Sequence, residues 1–150
     1  RRERIFGETF RIIKFRTMVD QAERDSGPVW AAKNDIRITR VGSVLRKLRL
    51  DEVPQFLNVF LGDMSLVGPR PERPAFVREL AHELENYSLR LQVKPGITGL
   101  AQVRGTYDSS MVTVARKLKF DLDYINNWSL WLDMKILFQT VSVVLTGRGR

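Results

Sequence analysis

The chain has no cysteine and a single histidine. Disulfides, zinc–thiolate sites and thiol catalysis are therefore excluded, and no two-histidine metal motif can be built. Lack of cysteine suits a reducing compartment without requiring one. His82 lies among Glu79, Glu83 and Glu85 and reads as a solvated helix residue. Long apolar runs are missing too. The longest, Ile136 to Leu145, is broken by Gln139, Thr140 and Ser142 and falls short of the ~20 residues of a spanning helix. No internal repeat, low-complexity tract or secretory signal is visible. The first residue is Arg1 rather than Met, so a piece of a longer protein is expected.

What is present bounds the fold. With 150 residues, 43% of them hydrophobic, the chain can bury one core, and a single domain over residues 1–150 is expected. Lysine and arginine outnumber aspartate and glutamate by 25 to 17, a net charge of +8. The excess is uneven. Residues 1–50 carry 13 basic and 6 acidic side chains, and residues 51–150 carry 12 and 11. A basic first third points to an anionic partner: nucleic acid, lipid headgroups or a phosphorylated substrate.

Periodicity predicts a helix-rich α+β fold. Residues 5–18 alternate apolar and polar side chains around Gly7 and read as a short hairpin. Ile36 and Ile38 suggest brief extended structure, and a helix is expected from Ser43. A second helix is expected from Asp51, with Pro54 in its first turn and Gly62 at its end. Gly68-Pro69-Arg70-Pro71 cannot be helical. Helical spacing returns over Pro74–Tyr87 and Val112–Asn126. Between them, residues 94–99 read as a loop and Leu100–Val103 as a short strand. Trp128 and Trp131 open a nearly uncharged tail, which suits either an interfacial helix or a core helix packed by tryptophan.

The chemistry is concentrated between Arg46 and Pro71. Asp51 and Glu52 are adjacent, so on a helix their side chains diverge by about 100° and cannot face each other as an acid/base pair. At a helix start, free N–H groups favour both carboxylates in ionised form. Taken alone the pair reads either as a cap with a first-turn glutamate or as an anionic nucleophile and Mg²⁺ ligand. Two prolines stiffen the loop that carries Arg70, one helix downstream, and a fixed guanidinium suits phosphate oxygens. Lys14 and Arg16 add cations to the first segment. The 94–99 loop lacks P-loop spacing.

Taken in order, these blocks resemble the bacterial sugar transferases of the monotopic phosphoglycosyl transferase family. The matching stretches are Lys14 to Met18, Leu50 to Gln55, Asn58 to Pro71, Val93 to Gly99 and Asn127 to Asp133. The resemblance covers essentially the whole chain. It implies a membrane-interface catalytic domain built from amphipathic helices at the cytoplasmic face of the bacterial inner membrane. It further implies transfer of a sugar 1-phosphate from a nucleoside diphosphate sugar, a UDP-sugar, to polyprenol phosphate, at the start of exopolysaccharide or glycoconjugate synthesis. Asp51 would be the nucleophile, forming a phosphosugar-aspartyl intermediate, with Glu52 beside it. Both carboxylates would serve a Mg²⁺ site. Lys14, Arg70 and Asp121 would belong to the phosphate-binding part. The family also carries a hydrophobic re-entrant helix before the Lys14 block, which this chain lacks, so a catalytic domain without that helix is expected.

Two other readings compete. A nucleic-acid-binding module explains the basic first third but neither the carboxylate pair nor the rigid Arg70 turn, and no nucleic-acid motif is present. A non-catalytic membrane-surface domain explains the tail and the cations but leaves Asp51 and Glu52 idle.

Overall fold

The computed structural model describes residues 8–24, 27, 29, 35–105 and 111–146. Helices dominate it. The first, α1 (Arg40–Lys47), starts where the Thr39 side chain accepts a hydrogen bond from the Gly42 amide. It ends at Leu48, and Arg49 then adopts a left-handed conformation with φ 57°. That reversal leads into a 3-10 turn, Leu50–Glu52, and then into α2 (Gln55–Phe60).

The helix expected from Asp51 is therefore divided. Pro54 has no N–H to give to a carbonyl in the preceding turn, so a continuous α-helical ladder cannot run through it. Bonds of i to i+3 spacing replace the ladder: Glu52 N donates to Arg49 O and Val53 N to Leu50 O. Pro54 itself occupies the N-cap position of α2. Neither the turn nor α2 is capped by a side chain, so the Asp51 carboxylate is not used as a cap.

The only sheet among the described residues is a parallel pair, β1 (Ser65–Val67) and β2 (Gly96–Thr98), with Ser65 opposite Gly96 and Val67 opposite Thr98. Parallel neighbours need a long crossover, supplied by α3 (Pro74–Glu83) and a 3-10 segment, Tyr87–Gln92. The expected strand over 100–103 is instead a helix, α4 (Leu100–Arg104). Strand pairing occurs just before it, inside the stretch read as a loop. Three glycines permit this. A Cβ on Gly96 would lie 2.1 Å from Gly68 N, and one on Gly99 would lie 2.2 Å from Gly68 O. One on Gly68 would lie 2.5 Å from Lys94 O. The two backbones approach closer than side chains allow, which composition alone does not reveal.

Two long helices back this pair: α5 (Met111–Asn126) and α6 (Leu130–Thr146). Val67, Leu100, Tyr124 and Ile136 form one buried cluster, and Leu80, Tyr87 and Leu118 form a second. Tyr124 couples the layers: its hydroxyl donates to Asp133 Oδ1 at 2.8 Å and lies 3.3 Å from the Val67 carbonyl oxygen.

Of the hairpin expected over 5–18, residues 5–7 lie outside the described residues. From residue 8 to 17 there is no strand, and Met18 makes a single antiparallel bridge with Ile38. The segment pairs with α1, the Asp51 turn and α2 instead of with itself.

Gly96→Ala tests the close approach. Forcing a methyl group against Gly68 N should cost about 2 kcal/mol or more, lowering Tm by roughly 4–8 °C for a chain of this size. Thermal unfolding followed by circular dichroism measures it, and an unchanged Tm would show that the loops separate freely.

Candidate active site

Three separate stretches bring Asp51, Glu52, Lys14 and Arg70 together. The first is the extended segment carrying Lys14. The Ile13 amide donates to Asn58 Oδ1 at 2.9 Å, Asn58 Nδ2 donates to Arg11 O at 2.8 Å, and the Phe15 amide donates to Asp51 O at 3.1 Å. Further along, Arg46 Nε donates to Thr17 Oγ1 and the Thr39 amide to Thr17 O. Gly42 sits where a Cβ would meet Thr17 O at 2.0 Å. The strand-like segment is thus pinned on both sides of Lys14 by groups of α1, α2 and the Asp51 turn.

Asn58 is the central pin. It is 1% exposed and it spends its side-chain amide on the first segment. Its carbonyl accepts from the Asp63 and Met64 amides beyond α2. A buried amide satisfied this way fixes register as well as distance.

The second stretch is the Leu50–Glu52 turn. Asp51 is buried, and Glu52 is half-buried against Arg70, with Arg70 Nη2 2.5 Å from Glu52 Oε1. Burial alone would push the Glu52 carboxyl up. The Arg70 guanidinium, with Arg49 and Lys14 behind it, outweighs burial and holds it below the usual carboxylate range. Lys14 is shifted down, first by desolvation and then by the Arg70 charge, while Glu52 and Asp51 oppose the shift. Lys14 and Glu52 therefore feel each other's charge and that of Arg70.

The third stretch is the Arg70 loop. Gly68 N donates to Thr98 O and Gly96 N to Pro69 O, both at 2.9 Å, and Ser65 N donates to Pro95 O. The Gly-Pro-Arg-Pro turn and the 94–99 stretch are in effect one backbone-bonded unit.

Asp121 lies behind that unit. It is 2% exposed and pairs with Arg90 at 2.8 Å. Arg90 Nη2 also donates to the Arg70 carbonyl at 2.9 Å, and Arg90 Nη1 to the Tyr87 hydroxyl at 2.7 Å. Asp121 thus touches the site through Arg90 and the Arg70 backbone. Burial pushes its carboxyl up to about 6 against the pull of Arg90.

Arg90 and Asn58 are the residues that sequence reasoning missed. For Asn58 a signal existed: Gln55 and Asn58 are polar at three-residue spacing inside an apolar run. For Arg90 the only hint was an arginine between Leu89 and Leu91.

Among the described residues, no group of three or more His, Asp or Glu side chains is placed to hold a metal ion. The oxygen pair Asp51–Glu52 still fits Mg²⁺, which is commonly held by one or two carboxylates and completed by substrate phosphates and water. The arrangement can set a buried carboxylate beside two cations, as attack on an anionic phosphorus centre requires.

The sequence profile of the bacterial sugar transferases matches residues 1–147. The chain belongs to that family. An Aeromonas hydrophila relative, a UDP-N-acetylgalactosamine-undecaprenyl-phosphate N-acetylgalactosaminephosphotransferase, is 49% identical over 140 residues, covering 93% of this chain and 33% of the relative. A Caulobacter vibrioides UDP-glucose:undecaprenyl-phosphate glucose-1-phosphate transferase is 45% identical, covering 93% of this chain and 53% of the relative. The exopolysaccharide production protein ExoY of Rhizobium meliloti is 40% identical, covering 95% and 67%. This bacterial sugar transferase chain thus spans about a third to two thirds of the curated relatives' length.

The Arg90–Asp121 pair yields a pH test. A carboxyl raised from 3.8 to about 6 on folding binds its proton more tightly in the native state. Its stabilising contribution is full below the unfolded pKa and is lost as pH rises through the folded one. Measured by urea unfolding, the stability of the protein relative to Asp121→Asn should grow by on the order of 2 kcal/mol as pH falls from 7 to 4. A flat or shrinking difference would mean that attraction to Arg90 outweighs burial.

Proposed function

We propose that this chain is the catalytic part of an enzyme that transfers a sugar 1-phosphate from a UDP-sugar to polyprenol phosphate. The observation that carries the reading is the meeting of Asp51, Glu52, Lys14 and Arg70 from three separate stretches. The activities of the Aeromonas and Caulobacter relatives support the substrates.

In this reading an Asp51 carboxylate oxygen attacks the sugar-bearing phosphorus. The bond from that phosphorus to the bridging oxygen breaks, and UMP leaves with the electron pair. An oxygen of polyprenol phosphate then attacks the same phosphorus. The acyl-phosphate bond breaks, returning Asp51 as a carboxylate and giving polyprenyl diphosphate sugar. Both attacks bring one anion to another, so the fixed charges of Lys14 and Arg70 offset the repulsion. Glu52 holds Arg70 by their ion pair. Mg²⁺, held by Asp51 and Glu52, would supply further charge neutralisation when bound. Arg90 and Asp121 act as positioning residues, holding the Arg70 backbone.

The acceptor has a long apolar tail, and exposed apolar side chains lie on the Asp51 turn, α1, α2 and α6. Leu50 and Val53 flank the carboxylates and are exposed, as are Val41, Val44 and Leu48 of α1. In α2 and at its C-cap, Phe56, Leu57, Phe60 and Leu61 are exposed. Leu130, Trp131, Met134, Phe138 and Val141 form an exposed stripe on α6. Among the described residues no helix is long and apolar enough to cross a membrane. We read these faces as lying in the bilayer interface at the cytoplasmic side of the inner membrane, where polyprenol phosphate presents its headgroup. The basic first third then faces anionic headgroups and substrate. Nothing in this arrangement favours nucleic acid.

UMP release from UDP-sugars, using full-length protein with membranes, Mg²⁺ and polyprenol phosphate, tests the reading. Asp51→Asn should lower kcat by at least about a thousandfold and abolish a phosphosugar adduct detectable by mass spectrometry. Retained turnover, or an adduct on another residue, would remove Asp51 from the role of nucleophile.

A further inference from the structure

Beside the site lies an open cavity of about 600 Å³, lined by Met18, Gln21, Ala22, Glu23, Arg24 and Arg73. None of these residues enters the mechanism above. Its walls are nevertheless joined to the site by short stretches of chain. Met18 follows Lys14 by four residues and Arg73 follows Arg70 by three. Even fully extended, those links span no more than about 14 Å and 11 Å. The Arg73–Glu23 ion pair, at 2.7 Å, ties the two walls together.

The chemistry of the walls differs from that of the site. At the site, cations are arranged for phosphate. In the cavity the Glu23 carboxylate is neutralised by Arg73, and hydrogen bonding to that guanidinium, against burial, holds it below the ordinary carboxylate range. The rest of the lining is a thioether, a methyl group, the Arg24 guanidinium and the Gln21 amide, which accepts from Arg24 at 3.4 Å. The Glu23 carboxylate accepts hydroxyl donors. A primary amide offers both a donor and an acceptor to a flat ring edge, and a methionine packs well on aromatic faces. Gln21 is also one of three non-glycine residues with positive φ among the described residues, at 53°. L side chains seldom adopt that conformation.

We propose that this cavity takes the nucleoside half of the nucleotide sugar, the diphosphate reaching from it to Lys14 and Arg70. The inference rests on the catalytic reading above and assigns the part of the substrate that reading leaves unplaced. The ring packs on Met18, the Gln21 amide reads its polar edge, and Glu23 accepts from the ribose hydroxyls. The volume falls within the few hundred to a thousand cubic ångströms of ordinary small-molecule sites.

The test compares two inhibitors of UDP-sugar turnover by full-length protein in membranes: UMP, which carries the nucleoside, and pyrophosphate, which does not. In Gln21→Ala and Met18→Ala the UMP inhibition constant should rise about tenfold or more, with pyrophosphate inhibition changing less than twofold. Gln21 is exposed, so its removal does not threaten the fold, and pyrophosphate inhibition reports an intact phosphate site in both variants. Unchanged UMP inhibition in an active enzyme, or equal loss of both inhibitors, would overturn the nucleoside assignment alone. A wild-type protein that consumes no UDP-sugar and does not bind UMP would overturn the catalytic reading, and this one with it.

Discussion

The structure depends on the backbone contact between residues 65–70 and 94–99. A charged side chain can be placed accurately only if its own backbone has nowhere to go. Here that condition is met by three hydrogen bonds and three missing side chains. The two prolines around Arg70 reduce its freedom in the unfolded chain as well. Behind the loop, Arg90 takes the Arg70 carbonyl and is itself held by Asp121 and Tyr87. A buried ion pair is poor evidence of net stabilisation, since desolvation can exceed attraction. Its value here lies in orientation: breaking it frees the loop that aims Arg70.

The first segment is placed by a different device. It has no strand partner of its own over residues 8–17, and its amides go to Asn58 Oδ1 and Asp51 O. The Asp51 turn and the segment carrying Lys14 thus share a hydrogen bond directly. A shift of one would shift the other. This linkage suits a site whose anions and cations must keep fixed separations while substrate charge changes.

Much of this was legible in the sequence, and the failures have physical causes. The helical spacing of Val114, Leu118, Leu122 and Ile125 marked α5, and the two prolines marked the Arg70 loop as non-helical. Resemblance in ordered blocks pointed to Asp51, Glu52, Lys14 and Arg70, which fold into one place. The parallel pair was hidden because its strands are three residues long and rich in turn-forming neighbours. The hairpin expectation rested on alternation within 5–18, but alternation does not name the partner. Arg90 escaped notice because a buried arginine is legible only once its carboxylate, in a distant helix, is known. Asp51 looked like a cap because local rules favour one there; Pro54 divides the helix, and neither half takes that carboxylate as its cap.

Helix α2 is built inside out. Gln55 and Asn58 are 3% and 1% exposed, while Phe60 is 88% exposed. In an ordinary surface helix the apolar side chains carry the folding energy and the polar ones vary freely. Along α2 those roles are exchanged. Truncating its phenylalanines removes little that the isolated domain buries, whereas altering Asn58 unfastens the segment that carries Lys14. Folding selection and surface selection therefore act on opposite faces of the same two turns, and its apolar face is free to adapt to whatever surface it meets without disturbing the carboxylates beside it.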